Sequence, residues 1–364
     1  MSGAFEIMNC TMFAYSTSPH VSQIYTGFSI LAANGEIGLT QKLANYSCRG
    51  IESMRNMRPQ DLNGVFVILN DRKVLFYDTS DAPHLRTDAL EVSDAYFKRS
   101  YVSASIPDRY KSRVYPFGLN YEVYTGKLNR FEVSRFILRK NIFERFPKEF
   151  LRRIAELASL SFLPTIENTC APPAINQDPR VLFMARAWDP DGEAAEVSAE
   201  EKTERVQINE TRARCIELLR KELGSMFYGG FAHTKYAVKN YSKLLLDSPL
   251  TSGKRNYLSL LRQYPICIAT TGLHGSIGWK MAEYVAFSKS IVSEKLKCLV
   301  PGNFEANKHY IEFDTPESCV QQTMRLVGDL QLRQQMMKDN WNYYKTYMEA
   351  DKLVGRTLQV ALSS

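Results

Sequence analysis

Short apolar runs and helically spaced apolar positions take turns along the chain, and the alternation predicts strands separated by helices. Glu6–Tyr15 is rich in β-forming residues and runs into Ser16-Thr17-Ser18-Pro19, a loop signal. Gln23–Ala33 reads as a helix stopped by Asn34-Gly35, and Ile37–Leu39 as a short strand. Gly64–Leu69 and Lys73–Tyr77 are strands flanking an Asn70-Asp71 turn, with Ala95–Val102 and Arg113–Phe117 as further strands. Asn168–Arg180 carries three prolines and no apolar period, which makes it the best linker in the chain. Beyond it the rhythm is crisper. Val181–Ala185 is a buried strand, Arg205–Leu223 an amphipathic helix ended by Gly224, and Met226–Tyr228 a strand ended by Gly229-Gly230. Lys254–Gln263 follows as a helix with Ser252 as its N-cap, then strand Ile266–Ala269, helix Lys280–Phe287 and strand Ile291–Val292. Pro316–Tyr347 is almost entirely helical. The expectation is an α/β fold of two domains, residues 1–170 and 181–340, joined by 171–180 and followed by a terminal helix over 341–364. Two such halves in series put a cleft between them, a usual place for a site.

Composition narrows the classes. A chain of 364 residues with 45% hydrophobic and 23% charged positions is ordinary for a globular protein. No apolar run approaches the roughly 18 residues that span a bilayer. The opening MSGAFEIMNCTMFAYSTS has no basic stretch before its apolar residues, which argues against a secretory signal. Seven scattered cysteines without a CxxC pair argue against a zinc site or a disulfide framework and fit a reducing cytosol. A formal charge of +7 is modest and favours anionic partners in general. No internal repeat or low-complexity tract is present.

The densest chemistry lies in Thr270–Glu294, TTGLHGSIGWKMAEYVAFSKSIVSE. A strand feeds a loop with Gly272, Gly275 and Gly278, and the loop opens a helix. In open α/β sheets ligands sit at the carboxyl ends of strands. Glycines let backbone approach a ligand, and helix-start N–H groups favour anions. Thr270, Thr271 and Ser276 add hydroxyls, and Lys280 adds a cation in the first turn. Glu283 follows one turn later, where a carboxylate can accept both hydroxyls of a ribose. Together these residues read as a cradle for a nucleoside diphosphate. The plain alternative is that the glycines are turn residues and Glu283 a solvated helix residue. Neither a GxGxxG dinucleotide fingerprint nor a GxxxxGK[ST] phosphate loop is present.

The run Lys280, Glu283-Tyr284, Ala286 and Ile291-Val292 resembles the C-terminal domain of GT-B glycosyltransferases. It is most similar to the group-1 branch related to the CgeB-like spore-maturation proteins, whose motif runs (R/K)-x-x-E-x-(L/V)-A-x-x-x-x-(I/L)-(V/L). Val181–Pro190 resembles the strand opening that domain, and Phe227–Phe231 the strand before its base-binding region. The resemblance covers roughly residues 178–345. It implies two Rossmann-like domains facing each other across a cleft, and sugar transfer from a nucleotide-sugar donor to a hydroxyl acceptor on an envelope glycan, a lipid-linked glycan or a protein. Arg186 and Lys280 would neutralise the leaving diphosphate without a metal or other cofactor, and Glu283 would hold the ribose. Thr271, Gly272, His274, Ser276 and Gly278 would line the donor site, and the terminal helix near Trp341–Ala361 would cross back to the N-terminal domain. Many relatives carry an E-x7-E pair. Here the earlier glutamate is replaced by Gly275, beside His274 as a substitute.

Other features carry less. Asp189-Pro190-Asp191 has the form of a DxD metal motif, but Asp-Pro-Asp-Gly is also a strong turn sequence. Asp78, Asp81, His84 and His20 are base candidates for deprotonating an acceptor, and each also has a plain reading as a cap or surface residue. Arg130–Ile154 has eight Lys/Arg against three Asp/Glu among interleaved apolar residues. It reads as an amphipathic helix on the N-terminal core or, alternatively, as a peripheral contact with the inner face of the membrane. No nucleic-acid motif accompanies the basic residues, so nucleic acid is not expected as a partner. The rival classes are a GT-B-like scaffold that has lost transfer and a sugar-nucleotide epimerase. The oligomeric state is not legible.

Overall fold

The computed structural model describes residues 7–14, 16, 18–43, 64–126, 162–175, 178–192 and 197–364. The basic stretch Arg130–Ile154 lies outside them. The chain divides into two compact units: Met1–Glu167 with Leu299–Pro301 and Thr346–Ser364, and Asn168–Cys298 with Gly302–Lys345. Both are α/β, the class the alternating pattern predicts.

The first unit holds a six-stranded sheet built from β1 (Met8–Ala14), β2 (Ile37–Leu43), β3 (Gly64–Leu69), β4 (Lys73–Asp78), β5 (Ala95–Lys98) and β6 (Val114–Pro116), in the order β2-β1-β3-β4-β5-β6. The sheet is mixed, because β3 runs antiparallel to both β1 and β4 while the other neighbours are parallel. Asn70 and Asp71, at φ 50° and 54°, make the tight hairpin between β3 and β4, and short Asx side chains tolerate that left-handed backbone. Strand β5 stops at Lys98 rather than Val102. Helices α1 (Ser22–Ala33) and α2 (Thr87–Val92) complete the local frame. Asn34 caps α1 and Gly35, at φ 75°, turns the chain out of it.

The second unit holds β7 (Val181–Ala185), β8 (Phe227–Phe231), β9 (Ile266–Ala269), β10 (Ser290–Glu294) and β11 (Ile311–Phe313), in the order β11-β10-β9-β7-β8. Every pairing is parallel. All residues of β7 and β9 are buried, as a parallel sheet covered on both faces requires, so these strands read as unbroken apolar runs. Its helices are α3 (Ala199–Leu223), α4 (Lys235–Asn240), α5 (Lys254–Gln263), α6 (Trp279–Ala286), α7 (Pro316–Gly328) and α8 (Leu330–Tyr343). The closing helix α9 (Ala350–Ser363) belongs to the first unit and packs on α1, where Leu353, Val354 and Leu358 join the core. Among the described residues no helix is long and apolar enough to cross a membrane.

Three further expectations change. Strand β8 runs through Gly229 and Gly230 instead of ending before them. A Cβ at Gly229 would sit on the Phe183 carbonyl of β7, and one at Gly230 would lie 2.7 Å from the Leu244 carbonyl oxygen in a 3-10 turn, so these glycines admit neighbouring backbone. Helix α5 is capped by Gly253, while Ser252 closes a short 3-10 turn and donates to the Pro249 carbonyl at 3.0 Å. Helix α3 begins at Ala199, six residues before Arg205, where the Ser198 hydroxyl accepts from the Glu201 amide.

Candidate functional site

Numbered within the second unit, the strand order is 2-1-3-4-5, and the order reverses between β7 and β9. Ligands of doubly wound sheets bind outside the carboxyl ends at such a switch point. Pairing is consistent with that here. Strand β7 stays in register with β8 to the end, from Val181↔Phe227 to Ala185↔Phe231, but pairs with β9 only at Val181↔Ile266 and Leu182↔Cys267. The two strands therefore part toward their carboxyl ends, where Arg186 follows β7 and Thr270 follows β9.

The loop from Thr270 to Gly278 spends most of its polar groups on the protein. The Thr271 amide and hydroxyl both donate to Glu294 Oε2, at 2.6 and 2.8 Å. The Gly272 amide donates to the Ser276 carbonyl at 2.8 Å, and the Ser276 amide to the Leu273 carbonyl at 3.1 Å. His274, at φ 60°, is exposed and its amide donates to Glu204 Oε1 at 2.8 Å. Gly275 is buried at φ 65°, and a Cβ there would lie 2.8 Å from the Lys297 side chain. Thr271 and Gly272 thus build the loop rather than offer donors from it.

Beyond the loop the situation reverses. Gly278 is the N-cap of α6 and no side chain caps that helix. A Cβ on Gly278 would meet nothing within 4 Å. The first amides of a helix lack intrahelical acceptors and carry the positive end of its dipole, though here the Met281 amide already donates to the Gly278 carbonyl at 3.1 Å. Lys280, in that first turn, sits over the Tyr257 ring at 5.1 Å, and burial lowers its pKa to about 8, with Arg212 and Lys254 adding to the shift against the opposing pull of Glu283. An open, uncapped helix start with a lysine in it is suited to an anion.

Glu283 is 4% exposed, and its partner is not Lys280 but Lys254, whose ammonium lies 2.5 Å from Oε1 and 5.8 Å from the centre of the Trp279 ring. It is a buried, paired carboxylate, not a solvated one. The hydroxyls of Tyr257 and Tyr284 are buried in the same unit beside Glu283. Both rings titrate far above the usual tyrosine range, through burial first and the Glu283 charge among the further causes.

Arg186 is exposed, with its guanidinium 4.9 Å from the centre of the Trp188 ring. Together with Trp188, Arg205, Thr234, Lys235 and Tyr236 it lines a cavity of about 460 Å³ beyond β7 and β8. The indole nitrogen of Trp188 is buried without an acceptor among the described residues. Asp189 and Asp191 form a turn: the Asp191 amide donates to Asp189 Oδ1 at 3.1 Å, and Asp191 pairs with Lys202 at 3.0 Å.

In the first unit the base candidates meet different fates. Asp78 is wholly buried. It accepts from the Tyr96 hydroxyl at 2.5 Å, the Lys98 ammonium at 2.9 Å and the Ser80 amide at 2.9 Å, so it anchors the end of β4. Burial lowers the Lys98 pKa against the opposing pull of Asp78. Asp81, half-exposed, pairs with Arg99 at 2.6 Å. Arg99 also reaches His20 Nδ1 at a long 3.4 Å. Burial, then the Arg99 charge, lowers the His20 pKa to about 4. Burial and the neighbouring guanidinium therefore both favour the neutral imidazole. His84 is exposed in the loop before α2.

The pattern of the sequence did not single out Arg212, Glu294, Glu204 or Lys254. Arg212 had a legible signal, because it falls on the buried stripe of α3 with Asn209, Ala213, Ile216 and Leu219. A charge at a core position of an amphipathic helix calls for a partner.

No protein-family model matches the chain, and no curated protein matches it by sequence. Several solved structures are similar to it. The C-terminal domain of a group 1 family glycosyl transferase from Francisella tularensis is 11% identical, with a TM-score of 0.32, covering 47% of this chain and 86% of that one. HepE from Anabaena, solved with UDP and glucose, is 10% identical, with a TM-score of 0.42, covering 97% and 98%. A UDP-forming alpha,alpha-trehalose-phosphate synthase from Burkholderia vietnamiensis is 13% identical, with a TM-score of 0.39, covering 80% and 69%.

Proposed function

We propose that the chain is a glycosyltransferase of the group-1, CgeB-like kind that takes its sugar from a nucleotide-sugar donor held by the second unit. The observation that carries the reading is the start of α6. It is an uncapped helix N-terminus with open space over Gly278 and Lys280 in its first turn, delivered by a loop at the switch point of a parallel sheet. In this reading the donor diphosphate lies on the first-turn amides of α6 and is neutralised by Lys280 and Arg186. As the glycosidic bond breaks, charge grows on the diphosphate oxygens, and fixed cations and amides lower the barrier because they need no reorganisation. No metal is called for. Glu283 takes the ribose hydroxyls by exchanging its contact with Lys254. The acceptor is a hydroxyl of a glycan, a lipid-linked glycan or a protein. Scattered cysteines without a disulfide or zinc spacing support a cytoplasmic setting.

The test is a thermal-unfolding series with UDP, GDP, dTDP, ADP and CMP and their common sugars, in EDTA. A ligand at about 100 times its dissociation constant stabilises by about 2.7 kcal/mol, a readable shift. Relative to its own ligand-free melting temperature, Glu283→Gln should weaken the stabilising nucleotide at least about tenfold, the loss of a charge-assisted hydrogen bond. A nucleotide shift unchanged by Glu283→Gln removes the ribose assignment, and no shift from any nucleotide removes the donor site.

One observation favours a second reading, a nucleotide-binding subunit without transfer: Asp78 and Asp81, two of the candidate bases, are held in ion pairs with Lys98 and Arg99. Slow hydrolysis of the donor in water, followed by chromatography, separates the two. A transferase releases nucleotide and sugar, and the subunit releases neither.

A further inference from the structure

One side chain bridges the parting ends of β7 and β9. Arg212, from the buried face of α3, reaches the carboxyl ends of both strands. Its Nη1 donates to the Arg186 carbonyl at 2.7 Å, its Nε to Thr270 Oγ1 at 2.9 Å, and its Nη2 to the Thr271 carbonyl at 2.9 Å. The residue is 7% exposed, and burial lowers its pKa to about 10, with Glu294 pulling the other way. Glu294 closes the arrangement from β10, since it takes the amide and hydroxyl of the same Thr271 whose carbonyl Arg212 holds. One turn earlier on α3, Asn209 accepts from the Trp188 amide at 2.8 Å and donates to the Trp188 carbonyl at 2.6 Å.

A guanidinium is planar, stays charged and carries five N–H groups in a fixed fork, so three acceptors on two strand ends fix the gap between them. A lysine has one point of attachment and cannot span the same set.

We infer that Arg212 is a positioning residue of the switch point, holding the strand ends of β7 and β9 and the loop Thr270–Gly278 in the geometry that presents the first turn of α6 to an anionic ligand. The ligand part rests on the donor reading above; the pinning of the loop does not. Arg212 also acts on Lys280 through its charge. The charged and titratable groups bearing on Lys280 are Glu283 from its own helix, Arg212 from α3, and Lys254 and Tyr257 from α5.

The experiment compares wild type with Arg212→Met, Arg212→Lys and Thr270→Val by amide hydrogen exchange without ligand and by equilibrium titration of UDP and GDP across pH 6–9.5. Thr270→Val removes one acceptor with little change of shape, so it remains informative where Arg212→Met fails to fold. The expected result is faster exchange confined to residues 270–280 in every variant, least in Thr270→Val. Nucleotide affinity should fall at least about tenfold in Arg212→Met and a few-fold in Thr270→Val. Thr270→Val should cost nothing further once Arg212 is already replaced. The pH at which binding fades should move upward in Arg212→Met and stay in place in Arg212→Lys. Unchanged exchange over 270–280 in Thr270→Val and Arg212→Lys overturns the inference. So does wild-type affinity with an unmoved pH profile in a folded Arg212→Met. Faster exchange together with a wild type that binds neither nucleotide keeps the pinning role and removes the donor reading.

Discussion

At the scale of single residues, the chain repeatedly assigns a polar side chain to hold the protein where its local pattern suggests it holds a ligand. Thr271 is the clearest case. A hydroxyl beside glycines after a buried strand reads as a ligand donor, but its partner Glu294 lies 23 residues away, and that spacing carries no local signal. Glu283 and Lys254, 29 residues apart on two helices, are hidden from a linear reading for the same reason. Lys280 gives a direct test. Its pKa is lowered to about 8, so its charge is present below that pH and lost above it. Anion binding that relies on the charge should be full at pH 6.5 and fade as pH rises through about 8, while Lys280→Met should be weak at every pH. A flat profile between pH 6.5 and 9 in the wild type counts against this lysine. Asp78 offers a second test. Lys98→Met leaves a buried carboxylate without its cation, which should cost about 3–5 kcal/mol in denaturant unfolding of the first unit. A loss under about 1 kcal/mol would mean that the pair is not important for stability.

At the scale of elements, apolar runs bounded by turn residues are read well from sequence. Val181–Ala185, Ile266–Ala269 and Lys254–Gln263 have in the structure the bounds their patterns predict. Legibility fails where an element depends on something distant. Gly229 and Gly230 punctuate locally but sit inside β8, because another backbone passes where their side chains would be. The antiparallel β3 within a parallel sheet is a matter of pairing, which periodicity does not encode. Gly27 is the element-scale prediction. A Cβ on this residue of α1 would run into the Ala350 carbonyl and the Val354 side chain of α9. Gly27→Ala should therefore destabilise by about 1–3 kcal/mol, despite the gain in helix propensity, as overpacking does. Stabilisation in urea unfolding would show that α9 yields at that contact.

For the whole molecule, α9 is the element whose sequence position says least about its place. It is the last helix of the chain, yet Leu353, Val354, Leu358 and Ala361 are core residues of the first unit. Deleting residues 350–364 should expose that core and abolish cooperative unfolding of the first unit in calorimetry, while the transition of the second unit persists. Loss of both transitions would show that the second unit does not hold on its own. The alternation of elements made the α/β class and the second sheet legible, since a parallel sheet between helices needs unbroken apolar strands. The use of that sheet depends on atoms beyond its edge, where the strands part and α6 begins.

That helix start is the point to probe first. Gly278→Asp places a carboxylate at an N-cap with φ −69° and open space around it, so it should cap α6 and stabilise the fold by roughly a few tenths of a kcal/mol. The same charge should repel a diphosphate from the first turn. The measurement is thermal unfolding of wild type and Gly278→Asp with UDP and GDP in EDTA. The account predicts a nucleotide-dependent rise in the melting temperature of the wild type, and a variant that melts higher than wild type without ligand but no longer responds to nucleotide. An equal nucleotide response in both proteins would place the diphosphate elsewhere and contradict it.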